Sequence, residues 1–100
     1  MKRETFNCIK EDLLQEVDKL LTGKNDDYAK KEDFMFNFKE LAMDMDMSPE
    51  QVCLFFITGK RNRIKNLLGR EAKNEGIDDS LKDLVAYSII MYAMLKGGVE

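Results

Sequence analysis

The sequence predicts an all-α fold: a single bundle-like domain of four helices over residues 1–100. Three observations predict it. Apolar residues recur at three- and four-residue spacing along most of the chain. One proline and six glycines are fewer turn residues than a strand-rich domain of this length needs. Ser48-Pro49-Glu50-Gln51 is a complete helix start, with an N-cap hydroxyl, a proline at the first helical position and a capping-box glutamine. One hundred residues allow one core. At 44 % apolar residues the chain is too hydrophobic to be disordered.

The elements follow in order. Ile9, Leu13, Leu14, Val17, Leu20 and Leu21 form one amphipathic face and predict a first helix over 7–22. Gly23 is placed to end it, and Lys24 to Tyr28 reads as a polar turn. Phe34, Phe38, Leu41 and Ala42 are the inner stripe of a second helix over 31–43. The third helix runs 49–68, with Met47 and Val52 placed as a hydrophobic staple. Gly59 inside it suits the close approach of another helix or a ligand. The fourth helix runs 79–96, with Asp78 as its cap and Gly97-Gly98 as its end. From Leu84 onward it is apolar almost all round, so it should be buried on several sides. A four-helix monomer of this size covers such a helix poorly, which predicts a homo-oligomer through helix 4; the alternative is a central helix in a tight monomer. Phe34, Phe36, Phe38, Phe55 and Phe56, with Met35, Met43, Met91 and Met94, read as core.

Composition excludes several functions. A net charge of −3 argues against a dedicated nucleic-acid binder. The chain has no histidine, which removes the commonest general base, any Ser/His/Asp arrangement and the commonest transition-metal ligand. A bound metal should therefore be a hard ion on carboxylates, Mg²⁺ or Mn²⁺. Cys8 and Cys53 are too few for a disulfide framework and each reads as a buried free thiol, suited to a reducing cytoplasm. No signal-peptide-like run follows the first residues, and the longest apolar stretch, 84–95, is too short to span a bilayer. The expected location is the cytoplasm, with no membrane partner.

Charged side chains cluster in two places. Glu75, Asp79 and Asp83 lie before and within the first turns of helix 4, with Asp79 and Asp83 four apart on one face. Lys60 and Arg63 lie three apart on helix 3. Carboxylates at this spacing can share Mg²⁺ bridging to phosphates, and a Lys/Arg pair can hold phosphate oxygens. The same residues serve equally well as an interhelical salt-bridge network, Asp83 pairing with Lys60 or Arg63. Asp27 and Tyr28 precede helix 2, where they can contact a base or phosphate, or cap the helix and cover the core. Asn37 can read a base edge or satisfy neighbouring backbone. Tyr87 shares the face of Asp83 and can hydrogen-bond it.

Two segments carry a resemblance. Lys24-Asn25-Asp26-Asp27-Tyr28 with Asn37-Phe38 resembles a K-N-x-D-Y-G … N-F signature. Lys60-Arg61-Asn62-Arg63-Ile64-Lys65-Asn66-Leu67, followed by Glu75 to Tyr87, resembles K-x-x-R-x-x-N-L … E-S-I-x-D-T-L-x-D-L-A-x-Y-A. These patterns are similar to those of phage and prophage proteins of the nucleotide-modification-associated domain family, a group resembling the MazG and dUTPase-like all-α NTP pyrophosphatases. The resemblance implies a MazG-like helical fold, a phage origin and a (deoxy)nucleotide phosphate bound through Mg²⁺. It places Glu75, Asp79 and Asp83 on the metal, and Lys60, Arg63, Lys24, Asp27, Tyr28, Asn37 and Tyr87 on the substrate. If the protein is an enzyme, it would be a Mg²⁺-dependent nucleotide pyrophosphohydrolase. Two departures stand: Ala29 replaces the glycine, and the Glu-Glu-x-x-Glu helix of active MazG-type enzymes is absent, helix 2 offering Glu32, Asp33 and Glu40. The alternative from another class is a non-catalytic interaction module, a phage-encoded inhibitor or regulator of a host or defence protein.

Overall fold

A computed structural model describes residues 1–28, 33–70 and 76–100, with the backbone alone for 23–28. Among the described residues there are four helices and no strand: α1 (Arg3–Tyr28), α2 (Phe36–Met45), α3 (Pro49–Leu67) and α4 (Ile77–Gly97). No helix among them is long and apolar enough to cross a membrane.

α3 starts as its sequence dictates. The Ser48 hydroxyl accepts from the Gln51 N–H at 3.1 Å, and the Gln51 side-chain oxygen accepts from the Ser48 N–H at 2.8 Å. The two bonds satisfy donors that the first helical turn leaves open. The other boundaries differ from expectation. α1 runs through Gly23 to Tyr28, so the stretch expected as a turn is helical backbone. One glycine costs about 1 kcal/mol in a helix, too little to stop it without a competing cap. α2 begins later than expected because Asp33 builds a turn ahead of it. Its carboxylate accepts from the Met35 N–H at 3.0 Å and its carbonyl from the Phe36 N–H at 3.2 Å. Residues 31 and 32, expected to open this helix, lie outside the described residues. α2 ends on Asp46 in the left-handed region at φ 54°, where the short polar side chain is tolerated. α4 begins at Ile77 behind Gly76, so Asp78 is not its cap. It sits with Asp79 in the first turn, at the positive end of the helix dipole.

α3 and α4 form the main helix pair; α1 packs on α4 and α2 on α3. The buried apolar side chains are Val17, Met35, Ala42, Val52, Cys53, Ala86 and Met94. Several residues read as core are not. Ile9, Leu14, Phe34, Phe55 and Met43 are exposed, Met43 at 84 %. Cys8, expected to be buried, is exposed. Cys53 is fully buried; its thiol donates to the Tyr87 carbonyl at 3.3 Å, and burial pushes its pKa up. Gly59 has no neighbour within 4 Å of where a Cβ would stand, so close approach does not explain it.

The molecule is elongated. Its radius of gyration is 15.2 Å and its longest dimension 44 Å, against about 13 Å of gyration for a compact chain of this length. α1 is the cause: 26 residues make a rod of roughly 39 Å. From Arg3 to Glu16 every residue of it except Leu13 is exposed.

Candidate functional site

The first half of α4 carries two kinds of residue on neighbouring faces. Asp83 faces Lys60 of α3 and Tyr87 meets Phe38 of α2 and Phe56 of α3, while Ala86 is buried and Ile90 packs against the cluster of Met35, Cys53 and Met94. Together with Leu20 and Leu21 of α1, Asn37, Phe38 and Leu41 of α2 and Phe56 of α3, Asp83, Ala86, Tyr87 and Ile90 line one cavity of about 220 Å³. Its walls are mainly apolar, and Asn37 and Asp83 supply polar side chains. One wall is aromatic: Phe56 and Tyr87 stack with ring centroids 5.3 Å apart and planes 20° apart. Phe38 meets both edge-on, at 6.3 Å and 6.5 Å. Such geometries follow from the ring quadrupole and fix the rings in place.

Asp83 is held by charge. Its carboxylate lies 2.9 Å from the Lys60 ammonium, and the two side chains are 21 % and 23 % exposed. This is a charge-assisted hydrogen bond joining α3 to α4 beside the cavity. Arg63, one turn after Lys60 on α3, is partly buried. A second ion pair, Asp33 with Lys39, fixes the entry to α2. The Lys39 ammonium holds the Asp33 carboxyl below its ordinary range, and Asp33 raises Lys39 in return.

The structure therefore gathers four residues singled out by the sequence: Asn37, Asp83 and Tyr87 on the cavity, and Lys60 through its bond to Asp83. It separates Asp79 from them. Asp79, one turn nearer the start of α4, borders a separate hollow with Arg70, Asp78 and Lys82. Glu75 and the side chains of Lys24, Asp27 and Tyr28 lie outside the described residues. Among the described residues no group of three acidic, cysteine or histidine side chains is placed to hold a metal ion. Among the described residues Asp83 alone offers a carboxylate at the cavity, and it already serves Lys60. Mg²⁺ needs only one or two protein carboxylates when phosphates and water complete its shell, so this donor set suits an ion that arrives with a phosphate.

Phe38 and Phe56 were read as core, and the aromatic wall they form with Tyr87 went unseen. The signal was there in part. Phe38, Phe56 and Tyr87 each stand at an aromatic position of a different helix, but their meeting depends on helix crossing that spacing does not encode. No family model, no curated protein and no solved structure matches this chain.

Proposed function

We propose that the cavity between α1, α2, α3 and α4 binds a nucleotide, and that the protein is a phage-type nucleotide-handling domain of the wider MazG-like group. The observation that carries this reading is the convergence of Asn37, Asp83 and Tyr87 on one aromatic-walled cavity with Lys60 beside it. The cavity's 220 Å³ is below the roughly 300–1,000 Å³ of sites that enclose a whole drug-sized ligand. It suits a planar base, with the sugar and phosphates outside. In this reading the base lies in the apolar space beside the Phe56–Tyr87 wall, and the Asn37 amide reads its edge. Lys60 exchanges Asp83 for a phosphate oxygen, with Arg63 assisting. Asp83, freed from Lys60, would then offer its carboxylate to Mg²⁺ carried by the phosphates. The absence of a Glu-Glu-x-x-Glu helix favours binding over turnover. Hydrolysis at the α–β phosphoanhydride would need a metal-bound water and a carboxylate base.

Isothermal titration with deoxynucleoside mono- and triphosphates, with and without Mg²⁺, tests this reading. Asn37→Ala and Lys60→Gln should each weaken binding about tenfold, as expected for loss of one good polar contact. Equal affinity in wild type and both variants would sink it.

The 2.9 Å bond between Lys60 and Asp83 favours a second reading. The charged residues then serve only to join α3 and α4, and the domain is a non-catalytic interaction module in the cytoplasm of its host. The same titration separates the two, because this reading predicts no nucleotide binding.

A further inference from the structure

α4 is the most apolar helix of the chain, yet one of its faces is uncovered. Leu81 and Ile89 are each 43 % exposed and Tyr92 is 66 % exposed; Ser88 is exposed and Val85 partly so. Leu84, Val85, Ser88, Ile89 and Tyr92 border a shallow apolar groove formed by this helix alone. α1 prolongs the patch, since Ile9 and Leu13 meet Leu81 in an adjoining hollow. Exposed side chains of this size along one line present several hundred Å² of contiguous apolar surface, the upper range for a monomer. The first four turns of α1 lie beside this patch almost wholly in solvent, and a helix of that length is marginal without packing.

The charges at the two ends of the stripe identify what covers it. At 100° per residue, Asp78, Leu81, Val85, Ile89, Tyr92 and Lys96 fall within one narrow face of α4. Asp78 and Lys96 are both exposed and both stand nine residues from Tyr87, one on each side. Lys96 lies over the Tyr92 ring at 5.6 Å, at the rim of the groove. Asp12 and Glu16 of α1 add to the acidic end, where Lys82 is the basic side chain of the same hollow and the balance stays negative. A face that is apolar in the middle, acidic at one end and basic at the other complements itself when turned end for end.

We propose that this face binds a second copy of the chain, α4 against α4 antiparallel about a two-fold axis at the level of Tyr87. In that register Asp78 of each copy meets Lys96 of the other, and Val85 meets Ile89. Ser88, near the axis, lets the backbones approach. The helix dipoles oppose each other favourably, and packing of this kind is isologous, as two-fold symmetry requires. A parallel pair would set Asp78 against Asp78 and Lys96 against Lys96. The inference is independent of what the cavity binds.

Sedimentation equilibrium of the full chain, wild type and charge-swapped, tests it. The wild type should be a dimer. Asp78→Lys alone and Lys96→Asp alone each place like charges together twice, and each should weaken dimerisation about tenfold or more. An equimolar mixture of the two variants restores both attractive pairs and should form a heterodimer of wild-type affinity. Recovery in the mixture also shows that neither substitution acts by unfolding the helix end. A wild type that stays monomeric at several hundred micromolar overturns the proposal and leaves the face to a different protein. A dimer indifferent to both swaps overturns the antiparallel register.

Discussion

Replacing Asp83 with alanine is the perturbation whose outcome the structure constrains best. The carboxylate lies 2.9 Å from Lys60, and both groups are about one-fifth exposed. At that distance, with an effective dielectric constant near 20, the attraction is about 6 kcal/mol before desolvation. Burial to this depth cancels most of it, and hydrogen bonds to charged groups contribute about 1.5–3 kcal/mol net. Asp83→Ala should therefore cost about 2 kcal/mol and lower the melting temperature by roughly 8–16 °C for a domain of this size. Urea denaturation followed by circular dichroism gives the free energy directly. Lys60→Met with Asp83→Leu should recover most of the loss, because an apolar pair of similar volume needs no desolvation. Wild type, Lys60→Met, Asp83→Leu and the double variant form a double-mutant cycle, and the pair's coupling should exceed about 1 kcal/mol. A loss below about 0.5 kcal/mol would place this contact among ordinary surface pairs and refute the reasoning. Under the nucleotide reading the double variant regains stability and still fails to bind ligand.

Other expectations follow from particular contacts. Gly59 is exposed with open space around it, so Gly59→Ala should stabilise the fold by up to about 1 kcal/mol; a loss instead would mean that a neighbour occupies the space. Asp33 has a lowered pKa in the fold, so its contribution is present above its unfolded pKa and disappears as pH falls through the lower folded value. Lys39, raised, contributes below its unfolded pKa and ceases to as pH climbs through the folded one. Wild type and Asp33→Asn should thus differ in stability at neutral pH and converge in acid, which denaturation at a series of pH values reads. Cys8 is exposed and Cys53 buried with a raised pKa, so a thiol reagent should label one cysteine fast and the second only on unfolding. Rapid labelling of both would contradict the packing of α3 on α4.

Local chemistry was the legible part of this sequence. The capping box at Ser48 and Gln51 is written in four residues, and it formed as written. Helix type was equally clear from the apolar spacing. Boundaries were less so where a single residue had to decide them: Gly23 did not outweigh the helical preference around it, and Asp33 set the start of α2 through two hydrogen bonds invisible to periodicity. Asp83 has two basic residues of α3 at helical spacing to reach for, Lys60 and Arg63, and spacing alone does not say that the Lys60 ammonium comes to 2.9 Å. Which apolar residues become core depends on how many helices are present to cover them. Ile9, Leu14 and Phe55 have the right pattern and still stay about half exposed among the described residues. The cavity was not legible at all, because it arises where four helices meet.

The most direct test of the central claim is a thermal-shift measurement with each nucleotide class, with and without Mg²⁺. A ligand that binds the folded state at a hundred times its Kd stabilises it by about 2.7 kcal/mol. For a chain of this size that corresponds to a rise of roughly 10–20 °C. The account predicts such a rise, dependent on Mg²⁺, for one nucleotide class, and its loss in Asn37→Ala. No rise with any nucleotide at millimolar concentration would contradict it and leave Lys60 and Asp83 as a strut between α3 and α4.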